Sequence, residues 1–353
     1  MNHAEERLFR LGLLLAGGGT RIRRLAAECD RGTPLFAMLS ERGAPRAILD
    51  AATRLADMEA RTVVDTIQSA GWRWTVPTDD DFPKLLAASS DPPLGLFVCG
   101  RLEDRMTVAV VGSRKATPYG RQVAHLLGEE LARAGVITVS GMARGVDGAA
   151  HRGALDAGGQ SWAVWGTGPD RVYPPEHRRL ADELAASGAL ITEYPPGTPP
   201  RRHHFPERNR ILAGLARAVV VVEAAARSGA LITARLAIEE GRDVLAVPGN
   251  IFSEYSVGPN TLLRVGARPL LTPRDLFDAI GCEPGVTKQR PLEHGLLKCL
   301  GAGEALTVDE IAARAGVAIA EALGDLLALE LAGEVARGVD GCYSRLRPPA
   351  DSG

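Results

Sequence analysis

Three regimes of apolar and polar spacing succeed one another along the chain. Up to about residue 70, apolar residues recur every three or four positions in EERLFRLGLLLAG, TPLFAMLSERG and APRAILDAATRLADMEARTVVDTIQSAG, which places them on one face of a helix. From Met106 onward, short and wholly apolar runs alternate with amphipathic stretches: TVAVVG, VITVSG, SWAVWG, ALITEY, AVVVVEA, DVLAVPG and RPLL are the runs. Strands that are apolar on both faces belong to a parallel sheet covered by helices on either side. Strict strand–helix alternation predicts a doubly wound α/β domain. Thr117 and Pro118 supply an N-cap and a first residue for the helix after the first run, and residues 206–215 are expected to form another. Beyond residue 290 the spacing becomes helical again over three segments and ends in a hairpin, the layout of a winged helix-turn-helix. Thr307 and Glu310 stand at capping-box spacing in its second helix.

The expected organisation is a helical module over residues 1–75, an α/β domain over 76–282, a polar linker over 283–290 and the winged-helix domain over 291–347. Composition narrows the function classes. With a net charge of -2, any polyanion site must be a local patch, because the chain as a whole is not basic. Five scattered cysteines without a C-x-x-C pair point to reduced thiols, and neither a disulfide framework nor a metal or other cofactor is expected. Glu5 and Glu6 stand where a signal peptide needs positive charge, and no apolar run is long enough to span a bilayer. A cytoplasmic protein without a membrane partner is expected.

In open parallel sheets, ligands bind at the carboxyl ends of the strands. The segments that follow the apolar runs here carry Arg114, Lys115, Arg144, Arg201, Arg202, Arg208, Arg210 and Arg227. A lone arginine is usually a surface cation, but eight basic residues on one sheet edge make that edge a phosphate-binding one. Neither G-x-x-x-x-G-K-[ST] nor G-x-G-x-x-G occurs, and no H-E-x-x-H or G-x-S-x-G suggests metal or nucleophilic catalysis. Asp147 and His151 in GVDGAAH admit two readings, an acid–base pair or a buried carboxylate that braces a loop. The stretch RRHHFPERNR puts Arg201 and Arg202 before Phe205, and Arg208, Asn209 and Arg210 after it. Cations that track a backbone beside an aromatic face are what single-stranded nucleic acid requires. The same spacing also suits Phe205 as a core plug under the loop.

The motifs VVGSRKATPYG, SGMARGVDGAAHRGAL, FPERNRILAGL, VVVEAAARSGALITARLAIEEGRDVLAVPGN and GPNTLLRVGA occur in series between about Asp79 and Leu271. Together they resemble the DNA-processing protein A family (DprA, also called Smf), whose longer members have a comparable SAM-like helical module and winged-helix tail. The resemblance implies an extended Rossmann-like domain with no catalytic activity, which binds single-stranded DNA, helps load RecA recombinase onto it, and serves recombination or natural transformation. It implies phosphate contact by Arg114 in the Gly112–Ser113–Arg114 loop, a basic contact at Arg202 and base stacking on Phe205, with Ser228 and Gly229 near the strand. Ala230 replaces the serine common at its position. The resemblance also implies a homodimer joined near residues 259–271, where Leu262, Leu263, Val265 and Leu270 are the candidate contacts; completion of the domain's own core is the alternative. Two other functions stay open. A nucleotide-binding or phosphoribohydrolase-like enzyme shares related folds, but RSGALITARLA lacks the glycine run and glutamate of that pattern. A duplex-DNA regulator rests on the tail alone, where residues 307–334 hold six acidic residues against one arginine, Arg314, and such a face opposes phosphate contact.

Overall fold

The computed structural model describes residues 2–29, 34–284, 295–301, 303–331, 333–338 and 341–346. Two compact units divide near residue 286. The linker expected over 283–290 and the first residues of the expected tail domain lie mostly outside the described residues.

The first unit is built on one nine-stranded sheet. Its strands are β1 (Trp72–Thr75), β2 (Leu96–Gly100), β3 (Thr107–Val111), β4 (Ile137–Ser140), β5 (Ser161–Val164), β6 (Ala189–Thr192), β7 (Ala218–Val221), β8 (Asp243–Ala246) and β9 (Arg268–Pro269). The spatial order is β1-β2-β6-β5-β4-β3-β7-β8-β9. From β6 to β9 all pairs are parallel, while β1 and β2 extend the sheet antiparallel. Alternate residues serve opposite faces, as strand geometry demands. Ala109, Val111, Val219 and Val221 pack with Ile211, Leu212, Ala234 and Ala237 on one side. Val108, Val110 and Val220 pack with Ala124, Leu127, Leu131 and Phe277 on the other. The chain order reverses direction between β3 and β7, so the crevice of a doubly wound sheet opens above their carboxyl ends.

The N-terminal helices cap the antiparallel edge of this sheet. Helix His3–Leu15 starts with a capping box between Asn2 and Glu5. The long amphipathic segment expected after residue 43 is helical from Arg46 to Ser69, with a π-turn at Ala56–Ala60. Leu11 and Ile67 share one core with Trp72, Trp74 and Phe97 of the sheet. The chain thus enters the sheet four residues before the expected boundary at residue 76, because the aromatic β1 buries its face against those helices.

At the other edge, β9 is the outermost strand. Helix Val257–Arg264 precedes it, and its Leu262 packs partly buried against the sheet core. Leu263 is half-buried, while Val265 is exposed. Leu270, expected on the same surface, is 5% exposed and belongs to the core with Phe277 and Ile280. Helix Pro273–Ile280 folds back over the sheet and takes Leu270 inward, so that residue is not available to a partner.

The second unit has a three-stranded antiparallel sheet of β10 (Ala305–Leu306), β11 (Val335–Arg337) and β12 (Tyr343–Arg345), ordered β10-β12-β11. Helix Val308–Ala315 begins with the Thr307–Glu310 capping box, and helix Ile319–Leu331 follows it. Where a first helix is expected, the described residues form a 3-10 turn at Gly295–Cys299. Leu296, Ile311, Leu326, Val335 and Tyr343 make the core.

Candidate nucleic-acid interface

A cavity of about 800 Å³ occupies the crevice above β3 and β7. Its floor depends on close backbone approach. Gly145 has φ +76°, and a Cβ there would lie 2.2 Å from the Ser113 carbonyl oxygen, so only glycine lets the loop after β4 seat against the loop after β3. The Val146 amide donates to that carbonyl at 3.2 Å, and the Lys115 amide donates to the Ser113 hydroxyl at 3.0 Å. Gly112 lies under Val146, where a Cβ would meet the valine side chain at 2.5 Å. This bracing turns the side chains of Arg114 and Lys115 out to solvent.

Phe205 is the second residue of helix His204–Leu215, because the helix begins earlier than residue 206. The ring is half-buried. One edge rests above Gly166, and the Tyr173 ring is tilted against it with centroids 5.4 Å apart. The Arg114 guanidinium lies over the ring, 4.8 Å from its centroid, in cation–π contact. Tyr173 belongs to the loop after β5 and is the residue that sequence reasoning missed. Its signal was its place in GTGPDRVYP, a segment at the same sheet edge. Arg202 is exposed and lines the cavity; Arg201 is exposed but outside its lining. On the far side, Arg227 is exposed and Ser228 caps helix Gly229–Glu239 by accepting from the Ala230 amide. Nothing crowds Gly229, whereas Ala230 is buried.

Other expected contacts are occupied by the protein itself. Arg208 is 5% exposed; it donates to the carbonyl oxygens of Gly141, at 2.9 Å, and Val164, and to the Asn209 side chain at 3.0 Å. Burial lowers its pKa to about 10. Asn209 donates in turn to the Gly229 carbonyl at 3.1 Å, so both residues tie the helix to the strand ends beneath the cavity. Arg210 is not brought to the cavity: it pairs with Glu193 and Asp91 and donates to the Asp91 carbonyl at 2.8 Å. Arg144 pairs with Glu176 beside a small cleft that it shares with Arg114, Tyr173 and Phe205. The hydrogen bond to Glu176 raises its pKa. Of the two histidines, His203 is exposed, whereas His204 is buried, stacked on Tyr194 at 4.2 Å and bonded to the Gly166 carbonyl.

Asp147 and His151 have separate partners. Asp147 accepts from the Ala143 amide at 3.3 Å, which braces the loop after β4, and burial raises its pKa. His151 bonds Ser161 at 2.7 Å, and burial lowers its pKa to about 3, so it is neutral at pH 7. The start of helix Pro118–Arg133, where a nucleotide phosphate would sit in a dinucleotide-binding fold, is filled by a protein carboxylate. Glu223 is buried and accepts from the Thr117 amide at 2.9 Å and the Thr117 hydroxyl at 2.5 Å. Gly120 is required beneath it, since a Cβ would lie 2.3 Å from that carboxylate. Among the described residues, no cluster of histidine, cysteine or carboxylate side chains is arranged to hold a metal, and no helix is long and apolar enough to cross a membrane.

The family model for DNA recombination-mediator protein A matches residues 73–281. The chain belongs to that family. A second model, the DprA winged helix domain, matches residues 283–341. The family's Protein Smf from Escherichia coli is 42% identical over 290 residues, 77% of each chain. A putative DNA processing protein DprA from Mycobacterium tuberculosis is 41% identical over 313 residues, 81% of this chain and 80% of the relative. Among solved structures, DprA from Streptococcus pneumoniae superposes with a TM-score of 0.68 at 34% identity, covering 77% of this chain and 97% of the other. DNA processing protein A from Helicobacter pylori, a structure concerned with its single-stranded DNA binding mode, gives a TM-score of 0.53 at 29% identity over 58% of this chain and 94% of that one. The fold and the winged-helix tail expected for a DprA are thus those of this chain.

Proposed function

We propose that this DprA-family protein binds single-stranded DNA in the crevice above β3 and β7, without catalysis, and delivers it to RecA recombinase in recombination or transformation. One observation carries the reading: a half-exposed aromatic, Phe205, flanked by Tyr173 and covered by Arg114, in a cavity also lined by the exposed cations Lys115, Arg202 and Arg227. Bases stack on such a face, and the cations neutralise the phosphates between them. Arg114 covers the ring in this structure, so strand entry replaces the guanidinium by a base and frees the cation for a neighbouring phosphate. The described relative from Helicobacter pylori supports the choice of ligand. Glu223 weighs against a nucleotide enzyme, because it fills the helix start where that class places phosphate.

A homodimer fits the outer edge of the sheet. Among the described residues, β9 has no neighbouring strand on its outer side there, and Val265 and Leu271 are 68% and 72% exposed. Fluorescence-anisotropy titrations with single- and double-stranded oligonucleotides across a salt series test the binding reading. Tighter binding of the single strand, weakening steadily with salt, is expected; equal affinity for the duplex overturns it.

A further inference from the structure

The crevice continues past the Phe205 site. Tyr173 follows β5, and Tyr255 follows β8; the sheet order places four strand steps between these ends, roughly 19 Å at ordinary strand spacing. Lys115 and Arg227 lie along the way, on the loops after β3 and β7, and all of these residues line one cavity. A strand bound at Phe205 and following those cations therefore arrives at Tyr255 after several nucleotides.

The Tyr255 side chain is not what holds its own loop. The main chain does this: the Ala224 amide donates to the Tyr255 carbonyl at 2.7 Å, and the Tyr255 amide donates to the Ser253 hydroxyl at 3.3 Å. Neither bond depends on the ring, which stays half-buried on the cavity wall. Glu254, beside it, is exposed and also lines the cavity. The neighbouring Glu254 carboxylate raises the pKa of the Tyr255 phenol. A carboxylate repels phosphate, so this end of the crevice faces bases and not backbone. A carboxylate is acceptor-only, so the base edge it favours is an exocyclic amine; thymine has none, and its one N–H, at N3, lies between two carbonyl oxygens that repel a carboxylate.

We propose that Tyr255 is a second base-stacking platform and that Glu254 accepts from the exocyclic amine of the base stacked there, so that cytosine or adenine is preferred to thymine at this position. The proposal rests on the single-stranded DNA reading above, and its test separates the two. Anisotropy titrations of the full chain with oligo(dC) and oligo(dT) of equal length are expected to show tighter oligo(dC) binding. Tyr255→Ala is expected to weaken both by about fivefold or more, as loss of one stacked base does, and Tyr255→Phe to retain most of the affinity. Glu254→Gln, whose amide both donates and accepts, is expected to erase the preference for oligo(dC). If Tyr255→Ala leaves both affinities unchanged while Phe205→Ala weakens them, the second platform is overturned and the binding reading stands. If neither variant matters, both fall. Photocrosslinking of the unmodified chain to an oligonucleotide containing 5-iododeoxycytidine keeps the test independent of variant folding: a crosslinked peptide containing Tyr255 supports the platform, and crosslinks confined to Phe205 and Tyr173 overturn it.

Discussion

Cations that lie within a few residues of one another have different work here, and burial separates them. Arg114 and Arg202 are exposed on the cavity. Replacing either by alanine is expected to make the log–log salt dependence of single-strand binding shallower by ~0.7, the loss of about one phosphate contact. Phe205→Ala is expected to cost ~1–3 kcal/mol of affinity with Phe205→Trp largely tolerated, as read from anisotropy alongside thermal melts that confirm the fold. Arg208 is a different case. Its removal leaves the carbonyl oxygens of Gly141 and Val164 without their donor and strips buried Asp147 of a nearby positive charge. Arg208→Met is expected to destabilise the fold by ~3 kcal/mol or more, measured by denaturant unfolding, before any effect on DNA is considered.

At the scale of elements, the start of helix Pro118–Arg133 decides what kind of α/β protein this is. Thr117 caps the helix by accepting from the Gly120 amide at 3.1 Å, and Glu223 at the end of β7 accepts both the amide and the hydroxyl of Thr117. A helix N-terminus attracts anions through its free amides and dipole; here a protein carboxylate answers that attraction. The proposed binding surface lies instead on the segments that follow β3, β5, β6 and β7. Glu223→Ala is expected to lower stability by ~1–3 kcal/mol in denaturant titrations, with the exposed DNA-facing side chains left in place.

For the whole molecule, the two compact units are expected to contribute separately to single-strand binding. Helix Ile319–Leu331 carries Glu321, Asp325 and Glu330 and no cation, and a groove-reading helix of that charge is repelled by phosphate. A chain ending at Gly285 is expected to hold single-stranded DNA within about threefold of the full chain's affinity, or roughly 0.65 kcal/mol; a tenfold loss in the same titration defeats this expectation. The proposed dimer belongs to this scale as well. Val265→Asp or Leu271→Asp is expected to give a folded monomer by light scattering, with weaker DNA binding through lost avidity. Leu270→Asp is expected to unfold the domain, since that side chain is in the core.

The sequence by itself determined the parallel strands β3 to β9 and the helices between them, but not the antiparallel extension by β1 and β2. Apolar runs bounded by glycine, the Thr117 cap and the Thr307–Glu310 box act over a few residues, where spacing alone identifies them. It also determined the edge on which the cations gather, because every strand–helix connection at that edge is local in sequence. What only the tertiary structure decided is which of those cations are free. Arg210 meets Asp91, 119 residues away, and Arg208 meets Gly141 and Val164, 67 and 44 residues away. Two arginines in one decapeptide are thereby spent on the fold while Arg202 stays exposed. Tyr173 and Tyr255 reach the same crevice for the same reason. The order of strands in a sheet is set by long-range pairing and burial, and no local spacing encodes it.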